Sequence, residues 1–160
     1  MFKRTVSLLC AVLCALSLCA CGGSSKQVSM YDLQKSMLAA DSSLPEMKVT
    51  GSWEDNAENA FSYISDMDYS KVSGYFLAYA ADGMAYEIAV VQLKDKSDAS
   101  AMVDSLKQHV HDRVQLYKTY EPEQTERAEA ATVKADGSFV LLVMCGKQQE
   151  VETAFKDFVK

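Results

Sequence analysis

Two runs, Val72-Ser-Gly-Tyr-Phe-Leu-Ala-Tyr-Ala80 and Met84-Ala-Tyr-Glu-Ile-Ala-Val-Val-Gln-Leu93, flank the dipeptide Asp82-Gly83. Both are rich in aromatic and β-branched residues, which suit a pleated surface. Asp-Gly between such runs is a turn requiring positive φ, so the stretch predicts a β-hairpin. A second pair follows: Thr132 to Ala135, Asp136-Gly137, and Ser138 to Cys145. Ala-Asp-Gly recurs at 81–83 and 135–137, a repeat of turn chemistry that three residues do not raise to an internal duplication.

Each hairpin precedes an amphipathic helical pattern. Ser97 to Lys118 places Ala99, Met102, Val103, Leu106, Val110, Val114 and Tyr117 on one stripe, and Lys147 to Val159 does so with Val151, Ala154, Phe155, Phe158 and Val159. Upstream, Leu33, Met37 and Leu38 mark a helix over Met30 to Ala40, and Met47 to Thr50 reads as a short strand. Trp53, Ala57, Ala60, Phe61 and Ile64 fall on one face of a second helix with Glu54 and Asp55 at its start. Strands adjacent in sequence and joined by tight turns make an antiparallel sheet, so the fold class is α+β: an antiparallel sheet of two hairpins, each followed by a helix, with two N-terminal helices.

In the strand Met84 to Leu93 one face carries Met84, Tyr86, Ile88 and Val90, and the other, nearly as apolar, carries Ala85, Glu87, Ala89, Val91 and Leu93. A sheet with one wet face alternates. Both faces are therefore expected to be covered, the second by the two N-terminal helices.

Residues 1–20 read as a targeting segment. Lys3 and Arg4 precede an uncharged apolar run from Val6 to Leu18, long enough for a signal core and too short to span a bilayer. Leu18-Cys19-Ala20-Cys21 followed by Gly22-Gly23-Ser24-Ser25 resembles a bacterial lipobox, which implies a diacylglyceryl group on Cys21 and cleavage before it. Cys19 follows the bulky Leu18, and Cys10 and Cys14 lie inside the apolar run, so Cys21 alone fits. An ordinary secretory signal cut near Ala20 is the competing reading. The expected organisation is a signal over 1–20, lipidated Cys21 and tether over 21–29, and one domain over 30–160. Two acyl chains suffice for stable anchoring where one does not. The expected address is the extracytoplasmic face of a cell membrane, held to membrane lipid through Cys21.

Cleavage would leave one other thiol, Cys145, without a disulfide partner and in an apolar run that predicts burial. It would also leave 14 basic residues (16 less Lys3 and Arg4) against 22 acidic ones, a net of −8. Such a surface repels nucleic acid and anionic lipid, and no nucleic-acid partner is expected. No Walker loop, GxSxG, HExxH or GxGxxG is present, so neither catalytic residue nor cofactor is assigned. His109 and His111, two apart on a helix, point about 200° apart and cannot share a metal. Both read as structural or solvated.

Arg113 is out of place. With Leu106 at zero and about 100° per residue, Val110 falls near 40°, Tyr117 near 20° and Arg113 near −20°, inside the apolar stripe. Glu87 is its counterpart, a carboxylate in an otherwise apolar strand. A bidentate Arg113–Glu87 pair would satisfy both. Two readings stay open: a structural ion pair, or a grip on an anionic ligand by Arg113 with Tyr117 and Tyr86 beside it.

The lipobox, Ala85-Tyr-Glu-Ile-Ala-Val-Val91, the helix with Arg113 and Gln115, Tyr120-Glu-Pro122 and Gly137-Ser-Phe-Val-Leu-Leu-Val143 together resemble the domain-of-unknown-function 4358 family of Firmicutes lipoproteins. The resemblance runs from roughly Leu33 to Phe158 and implies a Gram-positive, extracytoplasmic setting but no activity. Relatives beside genes for membrane-bound O-acyltransferases imply an envelope protein partner. Three functions follow in order: a non-catalytic accessory or binding module of the envelope, a lipoprotein binding a small anionic ligand, and an envelope hydrolase or transferase.

Overall fold

The computed structural model describes residues 28–160; the expected signal segment, Cys21 and most of the expected tether lie outside the described residues. The chain runs α1 (Met30–Ala39), β1 (Met47–Gly51), α2 (Ala57–Phe61), β2 (Val72–Ala80), β3 (Glu87–Leu93), α3 (Ala99–Tyr120), α4 (Thr125–Glu129), β4 (Thr132–Asp136), β5 (Phe139–Met144) and α5 (Gln148–Val159). The strands form one antiparallel sheet in the order β1-β2-β3-β5-β4, an α+β fold as expected from the hairpins.

Strand period sets the two faces. Tyr75, Leu77, Ala89, Val91, Val140 and Leu142 point to one core, closed by Met102, Leu106 and Tyr117 of α3 and by Ala57 and Phe61 of α2. Phe76, Ile88, Val90, Leu141 and Val143 point to the other, closed by Leu33 and Met37 of α1 and by Val151 and Phe155 of α5. Val72 shares the first face with Tyr75 despite the odd spacing because a bulge between Val72 and Gly74 shifts the register. β3 is central, and all seven of its residues are buried.

Both faces are covered, but the covering differs from the expected one. The second face carries α1 with α5, whereas α2 packs with α3 on the first. Tyr75 decides this: its buried hydroxyl donates to the Ala57 carbonyl (2.6 Å), holding α2 over the first face. α2 is also one turn long, because residues 52–56 form turns and the Trp53 ring lies over Gly51 instead of joining a helical stripe.

Asp41, just past α1, accepts from the Lys147 amide at the start of α5 (3.0 Å) and from Ser43. The end of one helix thus meets the start of the other, and α1 and α5 pack antiparallel across more than a hundred residues of sequence. Val28 is buried in their core and the Ser29 side chain caps α1.

The connections are not both tight. β4 and β5 meet through Gly137-Ser138, with Gly137 at φ +61° and Ser138 negative, the type II′ pattern one residue later than Asp136-Gly137. Between β2 and β3 the chain makes a wider loop over 81–86, with Gly83 at φ +84°. Its residues are engaged elsewhere: the Ala85 amide donates to Gln124 and the Gly83 carbonyl accepts from Tyr117.

Candidate functional site

Glu87 opens the central strand with its side chain toward α3 and 1% exposed. A buried carboxylate must be matched. His109 does this: its Nε2–H donates to Glu87 Oε1 at 2.7 Å, with the imidazole itself only 11% exposed. Arg113, one helical turn on, brings Nε to 3.8 Å from Glu87 Oε2, an ion pair without a hydrogen bond. Its Nη2 donates to the Tyr117 hydroxyl one further turn along, and its guanidinium carbon sits 4.9 Å from the centre of that ring. Tyr117 in turn donates to the Gly83 carbonyl at 3.0 Å. Burial pushes the Tyr117 phenol above its ordinary range, with the Arg113 charge pulling the other way.

Positions 109, 113 and 117 are four apart, so one row of α3 presents all three side chains to β3 and the loop before it. Arg113 and Glu87 are brought together as the sequence predicts, but not as a bidentate fork; the direct bond to Glu87 comes from His109. His109, expected from the sequence to be structural or solvated, was not assigned to the cluster. The signal was its i,i+4 relation to Arg113. His111 is exposed, as its position on the far side of α3 requires.

Tyr86 does not join the cluster. It neighbours Glu87 in sequence and so projects from the opposite sheet face, where it packs against the α1–α5 core and stacks under Arg127 at 4.0 Å. Arg127 also donates to Gln124, the residue that receives the Ala85 amide. Tyr86 therefore fixes the β2–β3 loop to α4 and is no part of an Arg113 grip.

Cys145 is buried beneath α1 and α5, on the other side of the sheet from His109, and burial pushes its thiol up to about 12. The two cannot form a nucleophile–base pair. Beside His109 a shallow groove of about 150 Å³ is lined by Tyr63, Ser65, Ser105 and Asp112. Its two serines bond each other (2.8 Å), and Ser65 also receives the Met67 amide. Neither hydroxyl bonds His109, and the carboxylate occupies Nε2. No cluster of three metal-ligating side chains is found among the described residues.

Two exposed aromatics form a pair that the sequence did not suggest, Trp53 having been expected on a helical face and Tyr31 not singled out. Tyr31 and Trp53 meet edge to face at 5.5 Å, 49% and 41% exposed, with the Lys35 ammonium 4.1 Å from the Tyr31 ring centre. They border a cleft of about 260 Å³ that reaches Val28 and Gly74.

No described helix is long and apolar enough to cross a membrane. No curated protein and no solved structure matches the chain. Residues 46–145, from the start of β1 to the end of β5, match the family described as "Domain of unknown function (DUF4358)". The chain belongs to that family.

Proposed function

We propose that this member of the family is a lipoprotein anchored through Cys21 to the extracytoplasmic face of the cell membrane, whose domain is a non-catalytic accessory or binding module of the envelope. The observation that carries this reading is the Glu87–His109–Arg113–Tyr117 network, in which the buried Glu87 Oε2 and Arg113 Nε face each other at 3.8 Å and have no hydrogen-bond partner. Its carboxylate is matched by an imidazole and a guanidinium, and its phenol by the guanidinium and a backbone carbonyl. An anion brought to Arg113 would lie beside the Glu87 carboxylate and be repelled by it. A general base at His109 would need a nucleophile, and the nearby serines are bonded to each other. With both sheet faces covered and the interior charges matched, recognition is left to the outer surface.

The test has two arms. Mass spectrometry of the protein extracted from its host membrane is expected to find a diacylglyceryl cysteine at position 21 as the first residue; an unprocessed N-terminus or a free Cys21 thiol refutes the address. Thermal unfolding of Arg113→Ala is expected to show a large loss of stability, as for a structural ion pair. An unchanged melting temperature with lost binding of a small anion would refute the module reading and restore the ligand site.

A further inference from the structure

Any lipid on Cys21 must be near the start of the folded domain. Seven residue steps separate Cys21 from Val28, a reach of at most roughly 25 Å even fully extended. The surface at that point carries Tyr31 and Trp53, two of the large exposed hydrophobics of the described domain.

Their placement is built. The Trp53 ring lies over Gly51, where an added Cβ would stand 2.5 Å from the ring, so only glycine leaves room for it. Tyr31 meets it edge to face, on the first turn of α1 immediately after the Ser29 cap. The rings and the cleft between them reach Val28, where the described chain emerges.

Charge narrows the occupant. From Cys21 onward the chain carries a net −8, and Asp32, Glu54 and Asp55 are sequence neighbours of the aromatic pair, whose Tyr31 ring holds the Lys35 ammonium at 4.1 Å. A surface of that sign gains little from an anionic headgroup layer. What can enter the interface beside the tether is neutral and amphipathic, the character of Tyr and Trp at membrane–water boundaries.

We infer that Tyr31 and Trp53 form an aromatic foot that rests in the headgroup region of the bilayer and sets the angle at which the domain stands. The inference rests on the lipid anchor proposed above. A foot inserted about 5–10 Å deep would hold the Val28 side of the domain down and turn the opposite side outward.

Trp53 is the sole tryptophan of the chain, so its fluorescence reports on this patch alone. The chain from Cys21 onward would be coupled by the Cys21 thiol to a maleimide phospholipid in phosphatidylcholine vesicles; Cys145, 4% exposed, is shielded from the reagent. Tethering is expected to shift Trp53 emission to the blue and to make it more quenchable by spin labels near the headgroup than by labels at the chain ends. Tyr31→Ser, which leaves the core untouched, is expected to reduce both effects, and Gly51→Ala, which displaces the ring, to abolish them. Emission and quenching unchanged by tethering would overturn the inference. So would a shift produced by soluble cell-wall glycan fragments and not by the vesicles, which would make the pair a saccharide platform. The anchor is supplied chemically in this assay, so a negative result leaves the lipidation reading standing. Loss of the Cys21 lipid in host protein sinks the address whatever Trp53 does.

Discussion

Replacing Glu87 with Gln keeps the shape of the side chain and an oxygen for His109, but it removes the charge that faces Arg113. At 3.8 Å and an effective dielectric near 20, the attraction lost is about 4 kcal/mol. Part of that is offset because a buried carboxylate no longer has to be desolvated. Breaking one side of a buried pair typically costs about 3–5 kcal/mol, since the remaining charge is stranded. Arg113 is 18% exposed and keeps its Tyr117 bond, which places Glu87→Gln near the lower end, about 3 kcal/mol. For a domain of this size that is a fall of roughly 10–15 °C in melting temperature. Arg113→Met leaves Glu87 with its His109 bond and is expected to cost less, about 2 kcal/mol. The double variant strands no charge, so it should be more stable than the sum of the singles by more than about 1 kcal/mol. Urea unfolding followed by circular dichroism, at one pH and ionic strength, measures all four corners of the cycle. A Glu87→Gln loss below about 1 kcal/mol, or additive single variants, would refute the view that these groups interact across the α3–sheet boundary.

Two further outcomes follow from the second core. Burial tends to raise the Asp41 carboxyl, but hydrogen bonds from Ser43 and the Lys147 amide outweigh it and hold the group below its ordinary 3.8. A depressed folded value means that its stabilisation is complete above the unfolded value and drains away as pH falls through the folded one, so melting temperature should drop on the acid side of about pH 4. Asp41→Asn should flatten that limb and cost about 1–2 kcal/mol at pH 7, read by calorimetry across pH; an unchanged acid limb would contradict it. Cys145, buried and with its thiol pushed up to about 12, should resist a thiol reagent at neutral pH in the folded chain and react only as urea unfolds it, which a time course of labelling would show.

The sheet was legible because its signals are local. Period-2 alternation assigned Ile88 and Val90 to one face and Ala89 and Val91 to the other, and the packing keeps that assignment. The doubly apolar strand implied two covered faces. Which helices cover which face was not legible, because the α1–α5 pairing is made by residues as far apart as Asp41 and Lys147. The length of α2 was misread because the Trp53 ring takes the space above Gly51, a contact no helical wheel displays. At the site, helical geometry found Arg113 and its need for Glu87. It missed His109, since an imidazole at the margin of a stripe looks neutral to a count of charges. Tyr86 was placed by proximity in sequence, although strand alternation turns it away from Glu87.

The antiparallel clasp between α1 and α5 has a mechanical consequence. Force arriving through residue 27 enters the domain along α1, whose far end is fastened by Asp41 to the first turn of α5 and whose Leu33 and Met37 are wedged against the sheet. The pull is met by many contacts loaded together in shear instead of one at a time, so a body moored by a short leash would keep its shape under tugging that could strip an unfastened helix.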